Sequence, residues 1–186
     1  MYEQLASSDF STREAATEEL IRRGPPIVAE LERLKKTDTD SERVARCKTI
    51  ARLAEFGEYT TLEALEKLRA ETVKTALERQ RPEQQGRIAA DLTRVDRIIE
   101  RGVRLAPEKD RQRVEAEAHY ATGREMYALC GKGDQFWIRL ASKRFQSACK
   151  LLEALNDRNP NDKAIEELLK RASMLRYATR QMTTLD

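Results

Sequence analysis

The stretch Arg87-Ile-Ala-Ala-Asp-Leu-Thr-Arg-Val-Asp-Arg-Ile-Ile-Glu-Arg-Gly-Val-Arg-Leu105 decides the fold class of this chain. Ile88, Leu92, Val95, Ile99 and Val103 recur at steps of four and three, which aligns them on one face of an α-helix. Most residues between them are charged or small, so the segment reads as a helix with one face buried. It is expected over about residues 82–105, restarted by Pro82.

The same reading extends in both directions. Toward the N-terminus, Ser11 with Glu14 has the capping-box spacing and starts a helix that carries Ala15, Ala16, Leu20 and Ile21 and stops at Gly24. Pro25 and Pro26 open a second helix, with Ile27, Val28, Leu31 and Leu34 as its stripe, ended by the polar run Thr37 to Ser41. A third, about 41–56, uses Val44, Cys47, Ile50, Ala51 and Leu53 and closes at Gly57. Thr60 and Glu63 repeat the capping-box spacing before Leu62, Leu65, Leu68, Val73 and Leu77, a run to about Gln80. Toward the C-terminus, helices are expected at about 107–130, with Gly131 and Gly133 flanking the next turn, at about 134–155, and from Asn159-Pro160 onward through Ile165, Leu168, Leu169, Ala172, Leu175 and Ala178.

Composition agrees. Charged residues make up 36% of the 186 and aromatics only 5%, which suits long amphipathic helices rather than a sheet sandwich. The expected fold is all-α: about eight helices in antiparallel hairpins, stacked as an α-solenoid, with helix above about two-thirds of the chain. Arg13/Arg43, Ala15/Ala45 and Leu20/Ile50 recur at a constant offset, as a helix-pair repeat would give. Three parts are expected: 1–57, 58–106 and 107–186.

Residues 5–24 resemble a short bacterial HEAT-like repeat, with Asp9, Arg13, Ala16, Leu20 and Gly24 in the family's order and Ile27 and Leu31 in its second half. Asp40-Ser-Glu-Arg-Val-Ala-Arg46 is a poorer copy, since its valine and arginine are not adjacent. Residues 120–148 are similar to a tetratricopeptide repeat: Gly123 and Met126 fit its first helix, and Ala141, Phe145 and Ala148 have its second-helix spacing. Here the turn is longer than in the family, and the usual proline is displaced to Pro160. Both resemblances imply stacking modules that hold other macromolecules, and neither carries over a catalytic residue.

The chemistry-bearing residues are few. No glycine-rich phosphate loop occurs, and the net charge of +3 is too small to imply an anionic partner through the overall field. Cys47, Cys130 and Cys149 are odd in number and widely spaced, which points to core thiols. The lack of a long apolar run or a basic-then-apolar leader gives a soluble, cytoplasmic expectation. The single histidine, His119, lies beside Thr122, Gly123 and Met126. It would anchor any enzyme reading with Glu115 or Cys130, but the favoured reading is a packed or capped histidine without chemistry. Glu115 and His119 supply only two metal ligands, and Asp38 to Glu42 lacks the glycine of a calcium loop, so no metal or other cofactor is expected.

Two surfaces remain. Tyr120, Arg124 and Tyr127 fall at one helix edge, and tyrosines with an arginine suit capture of a peptide or a neighbouring protein chain. Thr122, Met126 and Leu129 face the other way. The candidate contacts for an anionic partner, nucleic acid above all, are Arg87, Arg94, Arg97 and Arg101 on one helix and Arg139 and Lys143 on another. Asp91, Asp96 and Glu100 are interleaved with the first set, so self-neutralisation competes with that reading. Trp137, Ala141, Phe145, Ala148 and Leu152 are expected in the core. The function expected from all this is a protein–protein interaction scaffold without catalysis, with a nucleic-acid-associated domain and an enzyme around His119 as the alternatives.

Overall fold

A computed structural model describes residues 1–79, 85–129 and 134–183. Helix accounts for 86% of them and no strand occurs among them. Among these residues eight α-helices follow one another: α1 (Phe10–Arg22), α2 (Pro26–Thr37), α3 (Ser41–Leu53), α4 (Leu62–Glu78), α5 (Gln85–Leu105), α6 (Arg111–Leu129), α7 (Gln135–Arg158) and α8 (Lys163–Thr183). Short 3-10 turns lie at Glu3–Ala6, Ala54–Phe56 and Glu108–Asp110. Pro82, Cys130, Gly131 and Gly133 lie outside the described residues, as does the side chain of Leu129.

The chain divides into two compact units, Met1–Thr60 and Thr61–Asp186. Residues 58–106 and 107–186, expected as separate parts, largely share the second unit, where α4, α5 and α6 pack on one another.

In the first unit α3 packs against both α1 and α2, burying Leu20, Ile21, Leu31, Cys47, Ile50, Leu53 and Phe56. The helix starts are set by aspartates. The Asp9 carboxylate accepts from the Thr12 N–H at 2.7 Å, and that of Asp40 from the Glu42 and Arg43 N–H groups. Ser11 is therefore inside α1 and exposed, and Glu14 accepts instead from Arg46 of α3 at 2.7 Å. A full negative charge at the helix N-terminus outcompetes a serine hydroxyl there. Ala15, expected on the apolar face, is exposed, and Thr17 is buried in its stead with its hydroxyl donating to the Arg13 carbonyl at 2.8 Å.

α1 ends as expected at Gly24, whose φ of +73° is the left-handed conformation a side chain would strain. Gly57 has a different reason. A Cβ on it would stand 2.4 Å from the Ile21 carbonyl oxygen and 2.9 Å from the Gly24 Cα, so only glycine lets these two segments meet.

The second unit is a series of antiparallel neighbours. Arg79 donates to Asp91 near the α4–α5 turn, while Gly102 near the far end of α5 faces Leu62 and Leu65 at the start of α4. Gln112 of α6 reaches the Leu151 carbonyl of α7, and Gln135 of α7 reaches the Met182 carbonyl of α8. Two starts differ from the sequence reading. Thr61 rather than Thr60 caps α4, and Asp162 rather than Asn159 caps α8 by accepting from the Ala164 and Ile165 N–H groups. Asn159 is occupied in closing α7. Leu62 is 40% exposed, whereas Ile98, outside the expected stripe, is buried because α5 meets both α4 and α6.

Two glycines should therefore respond oppositely to the same change. Gly57→Ala should destabilise the first unit by about 1–3 kcal/mol, since the clash is with backbone. It should be read as faster amide exchange in α1 and α3. Gly102→Ala meets only ordinary contacts, at 3.7 and 4.0 Å, and should stabilise the second unit by about 0.5–1 kcal/mol through helix propensity. The single tryptophan, Trp137, buried in that unit, supplies the fluorescence signal.

Candidate functional site

The candidate edge on α6 is built from the core outward. Gly123 stands where α7 crosses α6, and a Cβ there would lie 2.8 Å from the Phe145 ring. Its absence lets the buried Phe145 seat directly on α6. Tyr120, one turn earlier, packs its half-buried ring against Phe145 with centroids 6.1 Å apart and planes tilted by 55°. Arg124 is exposed, and its guanidinium carbon lies 5.8 Å from the Tyr120 ring centre, within cation–π range. Tyr127 is half-buried with its hydroxyl 3.7 Å from the Met182 sulfur of α8. Both tyrosines thus pack on the core and keep part of their surface in solvent. Thr122 and Met126 are buried on the other side of α6.

The arginines of α5 do not form one basic edge. Arg87 and Arg94 are exposed, Arg97 is half-buried and Arg101 is only 2% exposed. Arg101 is a correction to the sequence reading, since a side chain that buried offers nothing to a macromolecular surface. The turn of α5 toward α4 and α6 puts it inside. On α7, Arg139 and Lys143 are exposed on the same side as Lys150 and Phe136, and Phe136 is 53% exposed. Arg139, Lys143 and Lys150 have no hydrogen-bond or ion-pair partner among the described residues. Trp137, Ala141, Phe145, Ala148 and Leu152 are all buried, as expected.

His119 is 15% exposed and held between charges. Arg144 of α7 donates to its Nδ1 at 3.3 Å and also pairs with Asp96 of α5. Burial, then the Arg144 charge, lower its pKa from 6.5 to about 4, against an opposing pull from Asp96. The ring is neutral near pH 7 and accepts from Arg144. Its nearest carboxylate, Glu115, is 3.9 Å from Nε2. Cys47 and Cys149 are buried thiols, and burial raises that of Cys47. Among the described residues no group of three or more His, Cys, Asp or Glu side chains is placed to hold a metal. No helix among them is long and apolar enough to cross a membrane.

A buried charge network escaped the sequence reading. Arg69 of α4, 3% exposed, donates to both carboxylate oxygens of Glu125 on α6 at 2.7 and 2.9 Å and to the Thr122 hydroxyl at 3.0 Å. The signal was available: Arg69 sits one turn from Leu65 and one from Val73, both buried, so it occupies a core position of α4. In the first unit Asp38 accepts from the Tyr2 hydroxyl and from two Arg43 nitrogens. Arg43 and Tyr2 hold its carboxyl well below the usual carboxylate range. Asp38, within the polar run that ends α2, is therefore a tether for the N-terminal segment.

With this geometry in hand, comparison with known proteins adds no relative: no family model, curated protein or solved structure matches the chain.

Two consequences are measurable. The folded-state pKa of His119 lies below the unfolded value, so the unfolded chain takes up the proton first. Its contribution to stability is present above about pH 6.5, falls between about 6.5 and 4 and levels off below. His119→Gln should remove this component, on the order of 2 kcal/mol, from the pH dependence of the urea midpoint read by Trp137. Parallel wild-type and variant curves would contradict it. Glu125→Leu should leave the Arg69 guanidinium uncompensated. The cost should be roughly 2–4 kcal/mol, below the full penalty of a sealed pair because Glu125 is partly wet.

Proposed function

We propose that this chain is a non-catalytic protein–protein interaction scaffold whose antiparallel hairpins act as solenoid-type repeats, and that Tyr120, Arg124 and Tyr127 contact the partner. The observation that carries the reading is the support beneath Arg124. Its guanidinium rests on a tyrosine that itself rests on the Phe145–Gly123 crossing. The ring beneath it biases the guanidinium toward this edge, and its fork of N–H donors matches a carboxylate. Two half-exposed tyrosines beside it add contact area at low entropic cost. A carboxylate-bearing peptide segment is the chemistry that such an edge fits. The HEAT-like and tetratricopeptide-like resemblances support the same class. A neutral His119, engaged by Arg144, favours a packing role over general-base catalysis.

A second reading has one observation in its favour: the α7 stripe of Arg139, Lys143 and Lys150 beside exposed Phe136 has no acidic partner among the described residues. It would serve an anionic partner such as a nucleic acid.

Peptides selected by display on the full chain, with affinity then measured by fluorescence anisotropy, test the first reading. Arg124→Glu should weaken the best binders at least tenfold by charge reversal while leaving the Trp137 unfolding midpoint within about 0.5 kcal/mol, as for other surface changes. Normal binding by the variant would overturn it. For the second reading, oligonucleotide affinity should fall steeply with salt and drop on Lys143→Glu.

A further inference from the structure

A concavity lies on a different face of α6 from that edge, where α4, α5 and α6 converge. It has a volume of about 150 Å³ and is walled mainly by aliphatic side chains. The hole has a sequence cause: α5 and α6 offer Gly102, Ala118 and Ala121, and no large side chain fills the space they leave. Leu65, Ile98 and Ile99 are buried around it, while Leu62 stands 40% exposed among its walls. An apolar cavity of this size takes a single ring or a branched chain of comparable bulk.

Its charges are unequal. Arg69 lines the cavity, but its guanidinium is taken by Glu125 and Thr122. Glu117 is paired with Arg113 at 2.8 Å, and Lys67, beside Glu66 in sequence, is paired with Glu63. Glu66 is exposed, lines the cavity and has no hydrogen-bond or ion-pair partner among the described residues. The uncompensated charge at the opening is therefore one carboxylate above an apolar floor. We propose that this cleft binds a small hydrophobic monocation: a one-ring or similarly bulky amine whose apolar body occupies the space lined by Leu65, Ile98, Ala118 and Ala121 and whose ammonium meets Glu66. A neutral hydrocarbon would leave Glu66 unused, and a carboxylic acid of the same shape would be repelled by it.

The test pairs two probes with the same ring and opposite charge, benzylammonium and phenylacetate, titrated into the full chain with methyl-labelled leucine and isoleucine. Benzylammonium should shift the methyl signals of Leu62, Leu65, Ile98 and Ile99 in a saturable way, with phenylacetate at least tenfold weaker. Glu66→Gln should bring the two probes within about threefold while ring binding persists. Gly102→Leu should abolish both. Should that variant fail the Trp137 fluorescence check for folding, Ala121→Leu closes the same space from α6. Equal affinity for the two probes, no saturable shift at these methyls, or a charge preference that survives Glu66→Gln would each overturn the assignment.

Discussion

The second unit depends on the missing side chain at Gly123. Where α6 and α7 cross, the 2.8 Å left between a virtual Cβ and the Phe145 ring is too short for any other residue unless that buried ring shifts. Because Phe145 sits in that gap, α7 lies close along α6 and buries Trp137, Ala141, Ala148 and Leu152 in the same pass. α8 then packs on α7. The candidate partner edge inherits this contact, since Tyr120 leans on Phe145 and Arg124 on Tyr120. A steric fact in the core thus sets the position of a charged group at the surface.

Charged side chains also tie helices together from within. Arg69 joins α4 to α6 through Glu125 and Thr122, and Arg144 joins α7 to α5 through Asp96 and to α6 through His119. Such links add little net stability over well-packed apolar residues, because burying the arginine costs much of its hydration while the carboxylate stays partly in water. They act more by exclusion. A slipped register of α4 on α6 would leave a guanidinium buried without its carboxylate, which costs several kcal/mol. Small residues at the same convergence leave the cleft at Gly102 unfilled, so packing precision and an open cavity coexist between the same three helices.

The helical period and the breaks were legible in residue order. Ile88, Val95 and Ile99 are buried as their spacing requires, and Gly24 takes the left-handed conformation expected of a helix stop. Exact starts were less legible, because neighbouring polar residues compete for the same orphan N–H groups. Asp9 displaced Ser11, Thr61 displaced Thr60 and Asp162 displaced Asn159. The trio on α6 was placed on one edge by spacing alone, but its stacking order needed Phe145, which arrives from another helix.

By itself, then, the sequence determined the all-α class, the approximate extent of each helix and which face of each is apolar, because these follow from interactions within a few residues along the chain. Tertiary structure alone decided that Arg101 is interior while Arg139 and Lys143 are not, and that Arg69 meets Glu125 and Thr122. It also decided that Asp38 is a tether and that Glu66 overlooks an apolar cavity. The physical reason is that a charged residue beside an apolar stripe is compatible with either solvent or a buried partner. Which one it meets depends on a second helix distant in sequence, and on whether that helix brings a carboxylate, a ring or only the small surface of a glycine.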